Sequence, residues 1–337
     1  MDYRSLGRTG LKVSVLGFGC GDVGGLIVRG TPAERERAVA RAVELGINYF
    51  DTAAAYGNGL SEQHLGQVLK ALKPNVYVGT KFRVPPEDVG DIAGAITRSL
   101  EASLGRLGLP RVDLLQLHNP LALARSGNRL SVADVLEQVV PALDRLRQQG
   151  KIRFYGMTAN GETDALHRVI DAGAVDTAQV FFNLLDPSAG VAVPAGFPGH
   201  DFRQLLSHTR EHRVGVIVVR VLAGGALSGT PDRHPLAMPL VAPIASGPDY
   251  ATDVARARAL QPLVDEGHAG SLVEAAFRFP LGNDAVSTVL VGSSTLEHLE
   301  YAAASIAKGP LPPAALIGSP RSGPTSPALA ERGRRIE

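Results

Sequence analysis

The sequence predicts an α/β protein of the (β/α)8 class, a closed TIM barrel, on three observations. Eight short apolar, β-branched runs alternate with stretches of helical periodicity. The runs lack polar alternation, the habit of strands buried on both faces of a parallel sheet. Polar residues gather at or just past the carboxyl ends of these runs, the end where such barrels carry their chemistry. Eight strand–helix units favour closure over an open sheet.

The elements follow in order. Tyr3–Leu6 and Leu11–Ser14 flank Gly7-Arg8-Thr9-Gly10, a hairpin placed to plug the barrel floor. The first strand is expected at Val15–Gly19 and the second at Ile47–Asp51. Between them, Thr31-Pro32-Ala33-Glu34 puts a capping hydroxyl, a proline and a glutamate at the start of a helix, and Gly46 stands where that helix stops. Leu65, Val68, Leu69 and Leu72 then form one helical face ahead of a third strand at Val76–Lys81. Ile92, Ile96, Leu100 and Leu104 repeat every four residues before the fourth strand, Val112–His118, and a helix follows around Val135–Leu146. Ile152–Gly156, Ala178–Asn183, Val214–Arg220 and Val286–Gly292 complete the eight. Asn119–Leu130, Asp186–His200 and Val221–Tyr250 are too long for simple connections and all fall on the carboxyl side. The reading is one barrel domain over 1–310, followed by a Pro/Gly/Ser-rich flexible tail over 311–337.

Composition excludes several function classes. The balance of 34 basic against 33 acidic residues argues against a nucleic-acid-coating surface. Cys20 is the one cysteine, so neither an internal disulfide nor a cysteine-based zinc site is available. The charged start, Met1-Asp2-Tyr3-Arg4, is unlike a signal peptide, and no run reaches the roughly 20 apolar residues of a membrane helix. A soluble, cytoplasmic protein acting on a small molecule is expected; no feature sets its oligomeric state.

Four residues at the predicted carboxyl face carry the chemistry. Asp51 ends the second strand, Tyr56 lies five residues on, Lys81 ends the third strand and His118 the fourth. Each has a plain structural use alone: a turn cap, a half-buried aromatic, a rim lysine, a loop histidine. Together they make an acid. A phenol donates a proton near neutrality only when its anion is stabilised. An adjacent ammonium does that, a carboxylate holds the ammonium, and an imidazole N–H aims a carbonyl. Such a set suits carbonyl reduction with Tyr56 as proton donor, and the hydride then requires a nicotinamide cofactor.

Four blocks carry a resemblance: Gly46-Ile-Asn-Tyr-Phe-Asp-Thr-Ala-Ala-Ala-Tyr-Gly57, Ser61-Glu-Gln-His-Leu-Gly66, Gly79-Thr-Lys81 and Asp113-Leu-Leu-Gln-Leu-His118. Over essentially 1–310 the chain resembles the aldo-keto reductase superfamily, as a bacterial-type member. The resemblance implies a (β/α)8 barrel, NADP(H) more often than NAD(H), no metal, and catalytic roles for Asp51, Tyr56, Lys81 and His118. It places Gly19 and Gly21 near the nicotinamide, Thr158 and Gln179 at its carboxamide, and Arg220 where an aromatic often stacks. Val221, Leu222 and Gly224 resemble the pyrophosphate loop. Gly292, Ser293, Ser294 and His298 resemble the adenosine end, where they would meet a 2′-phosphate. Several family residues differ here, Ala159 and the Tyr301-Ala302 pair among them, so NAD(H) stays open beside NADP(H).

Gly19-Cys-Gly-Asp-Val-Gly24 matches a dinucleotide fingerprint in letters, but no helix is expected before Thr31, so it reads as a loop over the barrel mouth. Other histidines, such as His167 and His208, are expected at the surface. Asn119, Arg125, Asn128 and Asp186 would suit a hydroxylated ligand. The expected function is NADP(H)-dependent reduction of an aldehyde or ketone. The alternatives are a sugar or aldose dehydrogenase working oxidatively, or a cofactor-sensing regulatory subunit like the potassium-channel β-subunit branch, which the nucleotide block resembles and His118 argues against.

Overall fold

The computed structural model describes residues 1–318. Eight parallel strands close into a barrel: β1 (Leu16–Gly19), β2 (Tyr49–Asp51), β3 (Tyr77–Phe82), β4 (Val112–Leu117), β5 (Ile152–Thr158), β6 (Thr177–Phe181), β7 (Gly215–Val219) and β8 (Val286–Gly292). Each overlaps its sequence expectation. Closure is made by β8 on β1, with Val289 opposite Leu16 and Gly292 opposite Gly19. At least one helix follows each strand; α1 (Pro32–Glu44), α2 (Leu60–Leu72), α3 (Ile92–Leu107), α4 (Val140–Gln148), α5 (Thr163–Asp171), α6 (Leu205–Glu211), α7 (Leu272–Arg278) and α8 (Leu296–Ile306) are one for each, and Tyr250–Arg258 and Pro262–Asp265 are extra helices between β7 and α7.

Local chemistry accounts for the boundaries. Thr31 and Glu34 form the expected capping box, with Thr31 N–H donating to Glu34 Oε2 at 2.7 Å. A π-helical turn, Val135–Val139, precedes α4, and Pro141, which has no N–H, sits just inside the helix. The hairpin forms from Tyr3–Ser5 and Lys12–Ser14 and presses Leu6, Leu11 and Val13 into the barrel, where they meet Leu114, Ile217 and Leu290. The larger core lies between the sheet and the helices.

Two expectations need correction. A single helical turn, Leu26–Arg29, does form before Thr31, because Gly25 adopts φ +84° and turns the chain into it. His167 is half-buried instead of exposed, beside Phe202 O at 3.0 Å and 4.1 Å from the His208 ring. Where the tail was expected to begin, Leu311 and Ala315 are buried and Pro313–Gly318 is a short helix. Residues 319–337 of that expected tail lie outside the described residues.

Candidate active site

Asp51 and Lys81 are delivered to one point by adjacent strands. The last residue of β2 and the fifth of β3 both point into the barrel, and both are nearly fully buried. Lys81 Nζ is paired with Asp51 Oδ1, donates to Thr52 O at 2.8 Å and lies 3.3 Å from the Tyr56 hydroxyl. These contacts use all three ammonium protons. Burial alone would lower the Lys81 pKa, but the charges of Asp51 and Tyr56 more than reverse it, so the amine stays protonated.

Tyr56 begins a 3-10 turn, Tyr56–Gly59, and its ring stands edge-on to His118, 6.1 Å between centroids at 89°. Burial, with Lys81 and Arg83 adding to it, pushes the His118 imidazole down to about 3. His118 is therefore a neutral N–H donor across the working pH range. The four residues expected to act together do converge.

Further bonds hold them in place. Asp51 Oδ2 accepts from Gln179 Nε2 at 2.7 Å and from the Tyr49 hydroxyl at 2.9 Å. Glu62, fully buried on α2, accepts from Thr80 Oγ1 at 2.5 Å and from Arg106 Nε at 2.6 Å. Gly66 lets α2 meet α3, since a Cβ there would lie 2.4 Å from Leu107 O. The Ser-Glu and Gly-Thr-Lys blocks are thus two halves of one contact.

From Tyr56 a cleft of about 790 Å³ runs past Gly19, Gly21, Arg220 and Gly224 to Ser293, Ser294 and His298. Val221, Leu222 and Gly292 line it as well. Arg220 and Ala223 adopt φ +57° and +48°, strained for residues with a Cβ, and they bend the chain after β7 over the cleft. That segment is strapped to the first loop. Met238 N–H donates to Val23 O at 3.2 Å, and Arg29 Nε to Leu236 O at 2.7 Å. Arg233, which the sequence reading missed, donates to Gly224 O at 2.7 Å and Met238 O at 2.6 Å. Its position deep in a long loop carried no pattern to mark it.

At the far end, Ser294 Oγ donates to Gly24 O at 2.6 Å, while Ser293 Oγ is buried with no partner. A Cβ on Gly24 would lie 2.6 Å from Ser293 N, so only glycine allows this approach. Burial lowers the His298 pKa, and His234 stands 6.1 Å from it, ring edge to face.

Other candidates fall elsewhere. Thr158, at the end of β5, and Gln179, midway along β6, are buried and do not line the cleft; Gln179 spends its amide on Asp51. Asn119 is buried and tied to Val84 O and N at 2.8 Å each, Arg125 is paired with Asp134, and Asp186 is buried against Ser188. These three serve the loops, correcting their expected use on a hydroxylated ligand. Cys20 is buried in the main core, and burial pushes its thiol up, away from reactivity. Among the described residues no cluster of His, Cys, Asp or Glu is placed to hold a metal ion, and no helix is long and apolar enough to cross a membrane.

Comparison with known proteins agrees with this fold. The model of the aldo/keto reductase family matches residues 15–315. L-galactose dehydrogenase of Arabidopsis thaliana is 31% identical over 311 residues, covering 91% of this chain and 88% of that protein. D-threo-aldose 1-dehydrogenase of a Pseudomonas species is 28% identical over 333 residues, covering 89% and 92%. Among solved structures, the holo form of aldo-keto reductase AKR11C1 from Bacillus halodurans superposes with a TM-score of 0.70 at 25% identity, covering 93% of each chain.

Proposed function

The chain belongs to the aldo/keto reductase family and is one of its oxidoreductases, and from that premise we propose that it exchanges hydride between NADP(H) and the carbon of an aldehyde or ketone. One observation carries the reading. The Asp51–Lys81–Tyr56 chain, faced by a neutral His118, opens onto a cleft that ends in an unpartnered serine hydroxyl.

The residues of that cleft fit a dinucleotide. Ser293 Oγ is a buried hydroxyl awaiting a polar partner, and Arg220 is a cleft cation with no carboxylate partner among the described residues. Gly19 and Gly21 leave the nicotinamide end open beside Tyr56. Arg220 with the Val221–Gly224 loop serves the middle, and Ser293, Ser294 and His298 serve the adenosine end. A bound nicotinamide supplies or accepts the hydride.

The protein does the rest. In reduction, Tyr56 Oη delivers its proton to the carbonyl oxygen while Lys81 stabilises the phenolate left behind. Asp51 keeps the ammonium aimed at Tyr56, and His118 donates an N–H to the same carbonyl oxygen, polarising it before the proton moves. In the oxidative direction the Tyr56 phenolate takes the alcohol proton. The dehydrogenases of L-galactose and D-threo-aldose among the relatives favour a second reading, oxidation of a sugar. An intact Tyr56–His118 pair supports turnover over a purely cofactor-sensing role.

The test follows nicotinamide absorbance with aldehydes, ketones and free sugars, each with NADP(H) and NAD(H). Tyr56→Phe should remove turnover by at least 10²-fold while cofactor affinity stays within twofold. Full activity in that variant refutes the acid assignment. Tight NADPH binding without turnover of any substrate would favour the regulatory reading.

A further inference from the structure

We propose that Tyr49 is a positioning residue of this site: from inside the barrel its hydroxyl holds the Asp51 carboxylate, and so the Lys81 ammonium, in the orientation that serves Tyr56. The inference rests on the oxidoreductase reading for its catalytic consequence. Tyr49 lies two residues before Asp51 on β2, so both side chains point into the barrel, with Tyr49 one layer deeper. It is fully buried among Leu114, Ile217 and Leu290.

The seat is built for this ring. A Cβ on Gly79 would lie 2.5 Å from the Tyr49 hydroxyl, and one on Gly17 would lie 3.2 Å from the ring. Two neighbouring strands therefore give up side chains to admit it. A phenol in an apolar layer needs a hydrogen-bond partner; Asp51 Oδ2 accepts from it at 2.9 Å, and the Gln116 side chain on β4 also faces it.

The consequence passes through Asp51. Its Oδ1 takes the ammonium, and its Oδ2 is fixed by two neutral donors, Tyr49 and Gln179. Each donor favours the ionised carboxylate. Without the phenol, the Asp51 carboxylate is freer to rotate, so Lys81 loses a fixed anchor. Tyr49 is a dependable donor because burial and the Asp51 charge both raise its pKa. Around Asp51 the other titratable groups are Lys81 from β3, Tyr56 from the loop after β2, and Cys20 from the loop after β1. Lys81 in turn acts on His118, the residue after β4, and Asp113 acts on Tyr49 from β4.

The experiment compares wild type with Tyr49→Phe by carbon-13 NMR of protein labelled at the aspartate carboxyl and the tyrosine Cζ, the Asp51 signal being assigned with Asp51→Asn. In Tyr49→Phe the Asp51 carboxyl signal should move and kcat should fall about tenfold, with KM and cofactor Kd within twofold. Ile217→Val, a cavity in the same layer, should lower Tm without moving the Asp51 signal or kcat. An unmoved Asp51 signal in Tyr49→Phe overturns the proposal. If Tyr49→Phe does not fold, wild type decides: in mixed light and heavy water the Tyr49 Cζ signal should split into H and D forms, from a hydroxyl held out of exchange by its bond to Asp51, and a single averaged signal is equally fatal. Lack of turnover by wild type overturns the oxidoreductase reading alone, since the carboxyl signal needs no substrate.

Discussion

Lys81→Met is the perturbation that separates the electrostatics of this site from its shape. The methionine fills the same tunnel between Asp51 and Tyr56 but carries no charge. With 3.3 Å between Nζ and the Tyr56 oxygen, and an effective dielectric of about 20, the lost attraction for a phenolate is about 5 kcal/mol. A transition state with the proton half transferred feels about half of that, so kcat should fall by roughly 70-fold at about 1.4 kcal/mol per decade. The same change strands the Asp51 carboxylate in a site only 3% exposed, which costs about 3–5 kcal/mol of stability. Asp51→Asn/Lys81→Met removes the stranded charge and should recover much of the stability but none of the rate. The assay is stopped-flow reduction at saturating substrate, with cofactor Kd from fluorescence and folding from circular dichroism. A folded Lys81→Met enzyme within threefold of wild-type kcat would refute the argument that the ammonium tunes Tyr56.

Two further predictions concern pH. With its pKa pushed to about 3 from an ordinary 6.5, His118 should show no imidazole titration by NMR between pH 5 and 8 and no limb near 6.5 in kcat/KM. The unfolded chain protonates that ring below 6.5 and the folded one does not, so stability falls as pH drops from 6.5 towards 3. His118→Asn should flatten that part of the curve, and an unchanged slope would count against it. Burial raises Asp186 from 3.8 to about 7, with Oδ2 unpartnered. Its stabilising contribution is therefore full below 3.8 and lost as pH rises through 7. Asp186→Asn should gain about 2–4 kcal/mol at pH 8.5 and nothing at pH 3.5 in urea titrations; equal effects at both would contradict this.

Much of the candidate site was legible because strand ends are local features. Asp51, Lys81 and His118 each close an apolar run, and Tyr56 follows at loop distance, so one rim was implied without coordinates. Tyr49 was equally available by strand parity, two residues before Asp51, but a tyrosine in a strand reads first as core. The capping box at Thr31 and the hairpin at Gly7–Thr9 were legible for the same local reason. The single turn at Leu26–Arg29 was not, since it depends on Gly25 at positive φ beneath Leu236 of the distant strap.

The sequence by itself determined the barrel, the family and the four residues that meet at Tyr56, because periodicity, caps and strand termini are written in neighbouring residues. Tertiary structure alone decided which polar residues serve the cleft and which serve the scaffold. Asn119, Arg125 and Asp186 looked like ligand contacts until loop packing gave each a protein partner, and Gln179 proved to be bonded to Asp51 across 128 positions of chain. A hydrogen bond is satisfied by whatever the fold brings within 3 Å, and for side chains far apart in sequence only the closed barrel sets that distance.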